Sequence, residues 1–253
     1  MENNNKSSLP VAIIGVVLLV ALIGGWWFYN NSKSNGAASN SNKTTGTEKN
    51  WAEIMSKAPP GASPAWAKGS PSAAVTIEEF ADFQCPTCAS MHPKVNEIRS
   101  AFGERVRIIF RQFPLTQTHP YAYDAACATE AAGMQGKFWE MQNQIFNNQQ
   151  SWSNSTDARK IFTDYAKTLG LDVTKFSDDM ISLAVKNRVD ADMQRGRAIG
   201  VGSTPAFYIN GKPLGGSLDM LRSTVEKALQ EAEAAKQTPP PTTANTSNTN
   251  SNK

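Results

Sequence analysis

The chain is poor in cysteine and histidine: of 253 residues, three are Cys and two are His. Three cysteines cannot staple a small secreted scaffold, which relies on several disulfides. With His92 and His119 they cannot build a second metal knuckle either, and a structural zinc site takes four ligands. Charge of one sign is also scarce. Twenty-five Lys and Arg against 22 Asp and Glu leave a formal net charge of +3. There is no basic stripe interleaved with aromatics, so nucleic acid is not an expected partner. No internal repeat is present.

What the chain does have begins with an uncharged apolar run, Leu9 to Tyr29. At about 1.5 Å per helical residue it reaches the ~30 Å needed to cross a bilayer. Trp26, Trp27, Phe28 and Tyr29 close it, as aromatics do at a membrane interface. The run exceeds the ~7–15 residues of a signal-peptide core, and no clean small-residue cleavage site follows. Residues 1–8 are therefore expected to be a short tail and 9–29 an uncleaved anchor. The Lys residues flanking the run do not decide its orientation. From the very short leading tail and the chemistry below, the body is expected outside the cytoplasm. Residues 30–70 read as a flexible linker and lead-in, residues 237–253 as a disordered tail, both rich in small polar residues.

The folded body is expected at 71–236. Val75 to Phe80 alternates like a strand and stops just before Cys85. A helix follows to Phe102, with Pro93 inside it, where a kink is expected. Arg105 to Phe113 reads as a second strand. Helical patterns follow over 121–134, 137–146, 157–169 and 178–199. The third has Ser155 or Thr156 as N-cap, and the fourth an apolar stripe of Ile181, Val185, Val189 and Met193. Ala206 to Ile209 returns to strand, Asn210-Gly211 marks a hairpin, and Lys212 to Leu214 pairs back. A final amphipathic helix spans 217–235. This order predicts a mixed α/β sheet flanked by helices.

The chemistry concentrates at Cys85-Pro86-Thr87-Cys88. A helix start exposes unpaired N–H groups and partial positive charge, which favour a thiolate at Cys85. Two intervening residues let the second sulfur reach the first within one turn. Pro86 fits the first helical turn, where its missing N–H costs nothing. Metal binding and an inert structural disulfide are the competing readings of such a pair.

Five stretches in this order, VTIEEFADFQCPTC, RIIFRQFPL, His119-Pro120, QGKFWEM and GVGSTPAFYING, resemble the DsbA-like thiol–disulfide oxidoreductases of the thioredoxin superfamily. The resemblance covers about 71–236. It implies a thioredoxin fold with an α-helical domain inserted at about 118–200. It implies Cys85 as the exposed nucleophile and Cys88 as the buried resolving cysteine. It makes Pro205 a cis-proline facing them beside Thr204. Glu79 then stands where the family carries a buried acid, a candidate proton acceptor whose alternative is a surface strand glutamate; Asp82 is a weaker candidate. Pro86, Thr87, Thr204, Phe83 and Gln84 are expected around bound substrate.

The resemblance further implies an enzyme with no cofactor beyond the redox-active Cys85–Cys88 disulfide. Its substrates would be exported proteins with cysteine thiols, and an integral membrane, quinone-linked protein would restore its disulfide. The body is expected to be a monomer. An oxidase is the first reading. A reductase or isomerase of the same fold, or a redox-inert binding module displayed on the membrane, are the alternatives. The motif departs from the family's best-known Cys-Pro-His-Cys by lacking its histidine. Cys127 is expected as a buried inert thiol, His92 as a partly exposed helix residue, His119 as a turn residue, and Phe138, Trp139 and Phe146 as helix core.

Overall fold

The computed structural model describes residues 49–237. The expected anchor at 9–29, most of the linker and the C-terminal tail lie outside the described residues. Among the described residues no helix is long and apolar enough to cross a membrane.

Five strands form one mixed sheet in the order β1-β3-β2-β4-β5. They are β1 (Trp66–Lys68), β2 (Val75–Ala81), β3 (Val106–Gln112), β4 (Ala206–Ile209) and β5 (Lys212–Pro213). β2 and β3 run parallel and the other pairs antiparallel. The parallel pair is joined by α2 (Pro86–Phe102), as a parallel pair must be by a crossover. Pro93 lies inside α2, which continues past it as one element. Asn210 and Gly211 have φ of 48° and 78°. Positive φ at both central residues makes the tight turn joining β4 to β5.

β2 alternates side chains across the sheet, and both faces are covered. Val75 and Ile77 face α2 and the C-terminal α9 (Leu221–Gln237), meeting Met91, Val95, Ile98, Leu221, Val225 and Leu229. On the opposite face Phe80 packs with Phe113, Ile199, Val201 and Tyr208.

Between β3 and β4 stands the helical insert: α3 (Ala122–Met134), α4 (Phe138–Asn147), α5 (Gln149–Ser153), α6 (Ala158–Thr168), α7 (Val173–Ile181) and α8 (Leu183–Ala198). Its core joins the alanines of α3 to Met141, Trp152, Phe162, Phe176 and Val185. Six helices thus stand between β3 and β4, where the resemblance implies an insert.

Three local expectations are corrected. The single helix expected at 178–199 is two. The Ser182 side chain accepts the Val185 N–H and starts a new helix there, so the apolar periodicity crosses a cap. Ile181 ends α7 and is 58% exposed instead of joining the buried stripe. α6 is capped by Asp157, whose carboxylate accepts the Lys160 N–H, not by Ser155 or Thr156.

The 51–70 lead-in carries regular structure. Trp51–Lys57 forms α1 against Tyr208 and its neighbours, and β1 adds an edge strand to β3. The Trp66 indole stacks on Phe138, 4.6 Å between centroids, and donates to Glu130. Arginines fasten the stretch between α1 and β1. Arg111 donates to the carbonyls of Pro60 and Ala62, Arg195 to that of Pro59, and Arg188 to those of Ser63 and Pro64. Arg111 and Arg195 also hold the Glu78 carboxylate, and Arg111 holds Asp192.

Candidate active site

β2 ends at Ala81, and a short loop delivers Cys85 to the N-cap of α2, with Pro86 at its first position. The loop is held from three sides. The Cys85 N–H donates to the Asp82 carbonyl at 3.2 Å. The Asp82 carboxylate accepts the N–H groups of Gln84 and Leu115 and bonds His119 Nδ1 at 2.8 Å. From α5, Gln149 Nε2 donates to the carbonyls of Phe83 at 2.7 Å and Cys85 at 2.9 Å. The Thr204-Pro205 peptide is cis, and Cys85 Sγ donates to the Thr204 carbonyl at 3.4 Å. Residues 85 and 204, far apart in the chain, are thus in contact.

The two sulfurs differ in setting. Both cysteines are free thiols in this structure. Cys85, expected to be exposed, is itself largely buried at 7% exposure, and Cys88 is fully buried, while Pro86 and Thr87 between them are exposed. The Cys88 thiol donates toward Cys85, and that bond outweighs the desolvation of a thiolate there. The amides of Cys88 and Thr87 add to it, and so does Thr204. Together they bring Cys85 down to about 5 from the usual 9.0. Burial, followed by the bond to Cys85 and the charge beside it, pushes Cys88 well above the ordinary thiol range. The pair therefore has one ready anion and one held proton. The Thr204 hydroxyl is buried without a hydrogen-bond partner among the described residues, which leaves it available to the sulfurs.

Glu79 is 3% exposed, and burial alone raises its carboxyl to about 8. By strand alternation it shares the face of Ile77 and Ala81, the face α2 covers. The surface-glutamate alternative does not apply. Asp82 spends its carboxylate on the loop and is not a free acceptor.

Two expected rim residues are corrected. Phe83 is 1% exposed, its ring 4.5 Å from that of Phe146 and 5.5 Å from that of Phe110. It is core, because the strand's alternation persists past its last ladder bond. Gln84 accepts the Tyr121 N–H and turns its amide toward the Ser153 carbonyl. It ties the loop to the insert rather than lying free for substrate.

His92 is buried, stacked on Phe146 and bonded to Asn143, and burial lowers its pKa. Burial thus favours its neutral form. Cys127 is buried and its thiol is pushed up to about 12 by burial. Sequence reading missed Gln149 altogether. It lies 64 positions from Cys85, and no local signal marks it.

A thioredoxin family model matches residues 63–232. The chain belongs to the thioredoxin family. Among solved structures it is similar to a thioredoxin-like oxidoreductase from Silicibacter pomeroyi, with 25% identity, TM-score 0.56, and coverage of 67% of this chain and 92% of that one. Wolbachia pipientis alpha-DsbA1 superposes with TM-score 0.59 at 22% identity, covering 69% and 96% of the two chains. BdbD from Bacillus subtilis does so with TM-score 0.59 at 21% identity, covering 66% and 93%. The fold is thus DsbA-like, a thioredoxin body with a helical insert. A curated relative, Na(+)/H(+) antiporter NhaA 1 of Mycolicibacterium gilvum, is 37% identical over 147 residues. That match takes in 57% of this chain and 23% of the antiporter. The chain spans about a quarter of the length of such relatives.

Proposed function

We propose that this thioredoxin-family chain oxidises cysteine thiols of exported proteins by thiol–disulfide exchange through Cys85 and Cys88. The carrying observation is the split between the sulfurs at the helix start: Cys85, bonded by Cys88 and Thr204, is brought down to about 5, while the buried Cys88 keeps its proton.

A substrate thiolate attacks Sγ of Cys85 in the Cys85–Cys88 disulfide. That bond breaks, its electron pair goes to Cys88 Sγ, and Cys88 takes a proton. The buried Glu79 carboxyl is the candidate to give it, being protonated below about pH 8. A second substrate thiolate then attacks the substrate sulfur of the mixed disulfide, and Cys85 leaves as the stabilised thiolate. The substrate loses two electrons and the pair gains them. A good leaving group departs faster, so a depressed Cys85 pKa speeds release. It also stabilises the reduced form of the pair, which makes the disulfide the stronger oxidant.

The body lies outside the cytoplasm, tethered by the apolar run at 9–29 and acting as a monomer. The run's length and aromatic border support the tether, and disulfide chemistry belongs to oxidising compartments outside the cytoplasm. A quinone-linked membrane protein returns the electrons, and sharing one membrane plane raises the effective concentration of the two.

The test is the reduction potential of the full chain, equilibrated with glutathione or dithiothreitol and read by thiol trapping. An oxidase is expected nearer the roughly −120 mV of a strong disulfide donor. A value near the roughly −270 mV of a reducing thioredoxin replaces the oxidase with a reductase. An unreactive pair leaves only a binding module.

A further inference from the structure

The surface on the insert side of Cys85 is a groove that no step above uses. One part is a cavity of about 410 Å³ between the β3–α3 loop, the end of α8 and the start of the cis-proline loop; Phe113, Leu115, Met193, Arg197 and Val201 line it. A second cavity of about 360 Å³ shares Thr116, Met193 and Arg197 with it and adds Tyr123, Asp190 and Gln194. The groove is therefore continuous along α8. Its volume lies in the ~300–1,000 Å³ range of ligand sites.

Both loops that flank the groove also hold the sulfur. Leu115 is bonded through its N–H to Asp82, whose carbonyl holds the Cys85 N–H. Gly202, at the groove's other wall, is two residues from Thr204, whose carbonyl takes the Cys85 thiol. Two extended residues span about 7 Å. A polypeptide joined to Cys85 thus reaches the groove within about three residues of its own cysteine.

The charges along the groove are separated. Among the described residues, exposed Arg197 makes no ion pair, and exposed Asp190 accepts only the Tyr123 hydroxyl. They sit seven residues apart on α8, about 10 Å along the helix axis. An extended strand covers that distance in about three residues. Between them lies the apolar floor of Met193, with Phe113 and Val201 at the Arg197 end.

We infer that this groove is a subsite for the polypeptide substrate. It takes an extended segment beside the reacting cysteine, with an apolar side chain on the floor, an acidic residue at Arg197 and a basic residue three positions beyond it at Asp190. The inference rests on the thiol-exchange reading above and gives that site a sequence preference.

The experiment uses the oxidised full chain in detergent. Two peptides each carry one cysteine and an apolar residue. One has Glu near the cysteine and Lys three positions beyond the Glu, and the other has these charges exchanged. Each oxidation rate is divided by the same protein's rate with dithiothreitol. The Glu-first peptide is expected to react about fivefold faster at low salt, the order of exposed ion pairs. The preference shrinks at high salt. Arg197→Glu alone or Asp190→Lys alone is expected to bring the two rates together, and the two substitutions combined to invert the order. Equal rates for the two peptides with the unsubstituted chain, or a preference that Arg197→Glu leaves untouched, overturns the subsite while thiol exchange stands. Failure with dithiothreitol as well as with both peptides overturns the exchange reading and the subsite with it.

Discussion

The reactivity of Cys85 against pH follows from its setting in numbers. Take the reduced chain and a small disulfide probe, and compare it with an ordinary free thiol. With Cys85 titrating at about 5, about 90% is thiolate at pH 6. A free thiol at ~8.5 is about 0.3% thiolate there, roughly 300-fold less. The stabilised anion is intrinsically less nucleophilic. At a Brønsted slope of about 0.4–0.5, the difference of roughly 3.5 between the two pKa values costs about 25- to 55-fold in rate. The product is a Cys85 roughly tenfold faster than the free thiol at pH 6. At pH 8 the free thiol is about a quarter ionised, and the order reverses by about the same factor. The assay is stopped-flow release of the probe's leaving thiolate between pH 4 and 9. Cys88 and Cys127 stay silent because both thiols are pushed up. A rate that levels off above about pH 6 and crosses the free-thiol curve is expected. A rate that keeps climbing to pH 8.5 refutes the stabilised anion at the helix start.

The same pKa sets the sign of a stability effect. Its folded value lies below the 9.0 of an unperturbed thiol. The stability this thiolate adds to the reduced form is therefore fully present above pH 9 and is lost as pH falls through about 5. The oxidised form has no such group, so the melting-temperature gap between the two should shift steadily over that window and stop shifting below it. Glu79 carries the opposite sign: its folded value, about 8, lies above the usual 4.5. Its cost is absent below pH 4.5 and grows as pH rises through 8. Glu79→Gln should then melt progressively higher than the parent between pH 5 and 8, while resolution at Cys88 slows; a pH-independent difference counts against a buried carboxyl. Arg111→Leu leaves Glu78 with Arg195 alone and Asp192 without its ion-pair partner. It should cost about 3–5 kcal/mol in chemical denaturation, the usual loss when one member of a buried ion network is removed. A loss below about 1 kcal/mol would show that the network contributes little.

The parts of this fold legible in the sequence are those whose cause is local. The strand before Cys85, the helix after it and the Asn210-Gly211 turn are each written in a few neighbouring residues. The cis-proline partner, 120 positions downstream of Cys85, was placed by family resemblance and not by spacing. Other features were hidden because their cause is distant. Glu78 and Glu79 are adjacent and chemically alike. One lies on the face that meets Arg111 and Arg195, while the other is buried on the α2 face with no ion-pair partner among the described residues. Strand alternation separates them, but only the far arginines say which is paired. β1 is three residues long and exists through β3 and the Trp66 stack. Phe83 and Gln84 looked exposed because they border the motif, yet the insert's Phe146 and Tyr121 claim them.

Gln149 and Gln84 make the insert and the reactive turn mechanically one piece. The first grips the turn's carbonyls from α5, and the second grips the start of the insert from the turn. Any displacement of α5 against the start of α2 would strain the two carbonyl bonds that shape the thiol loop.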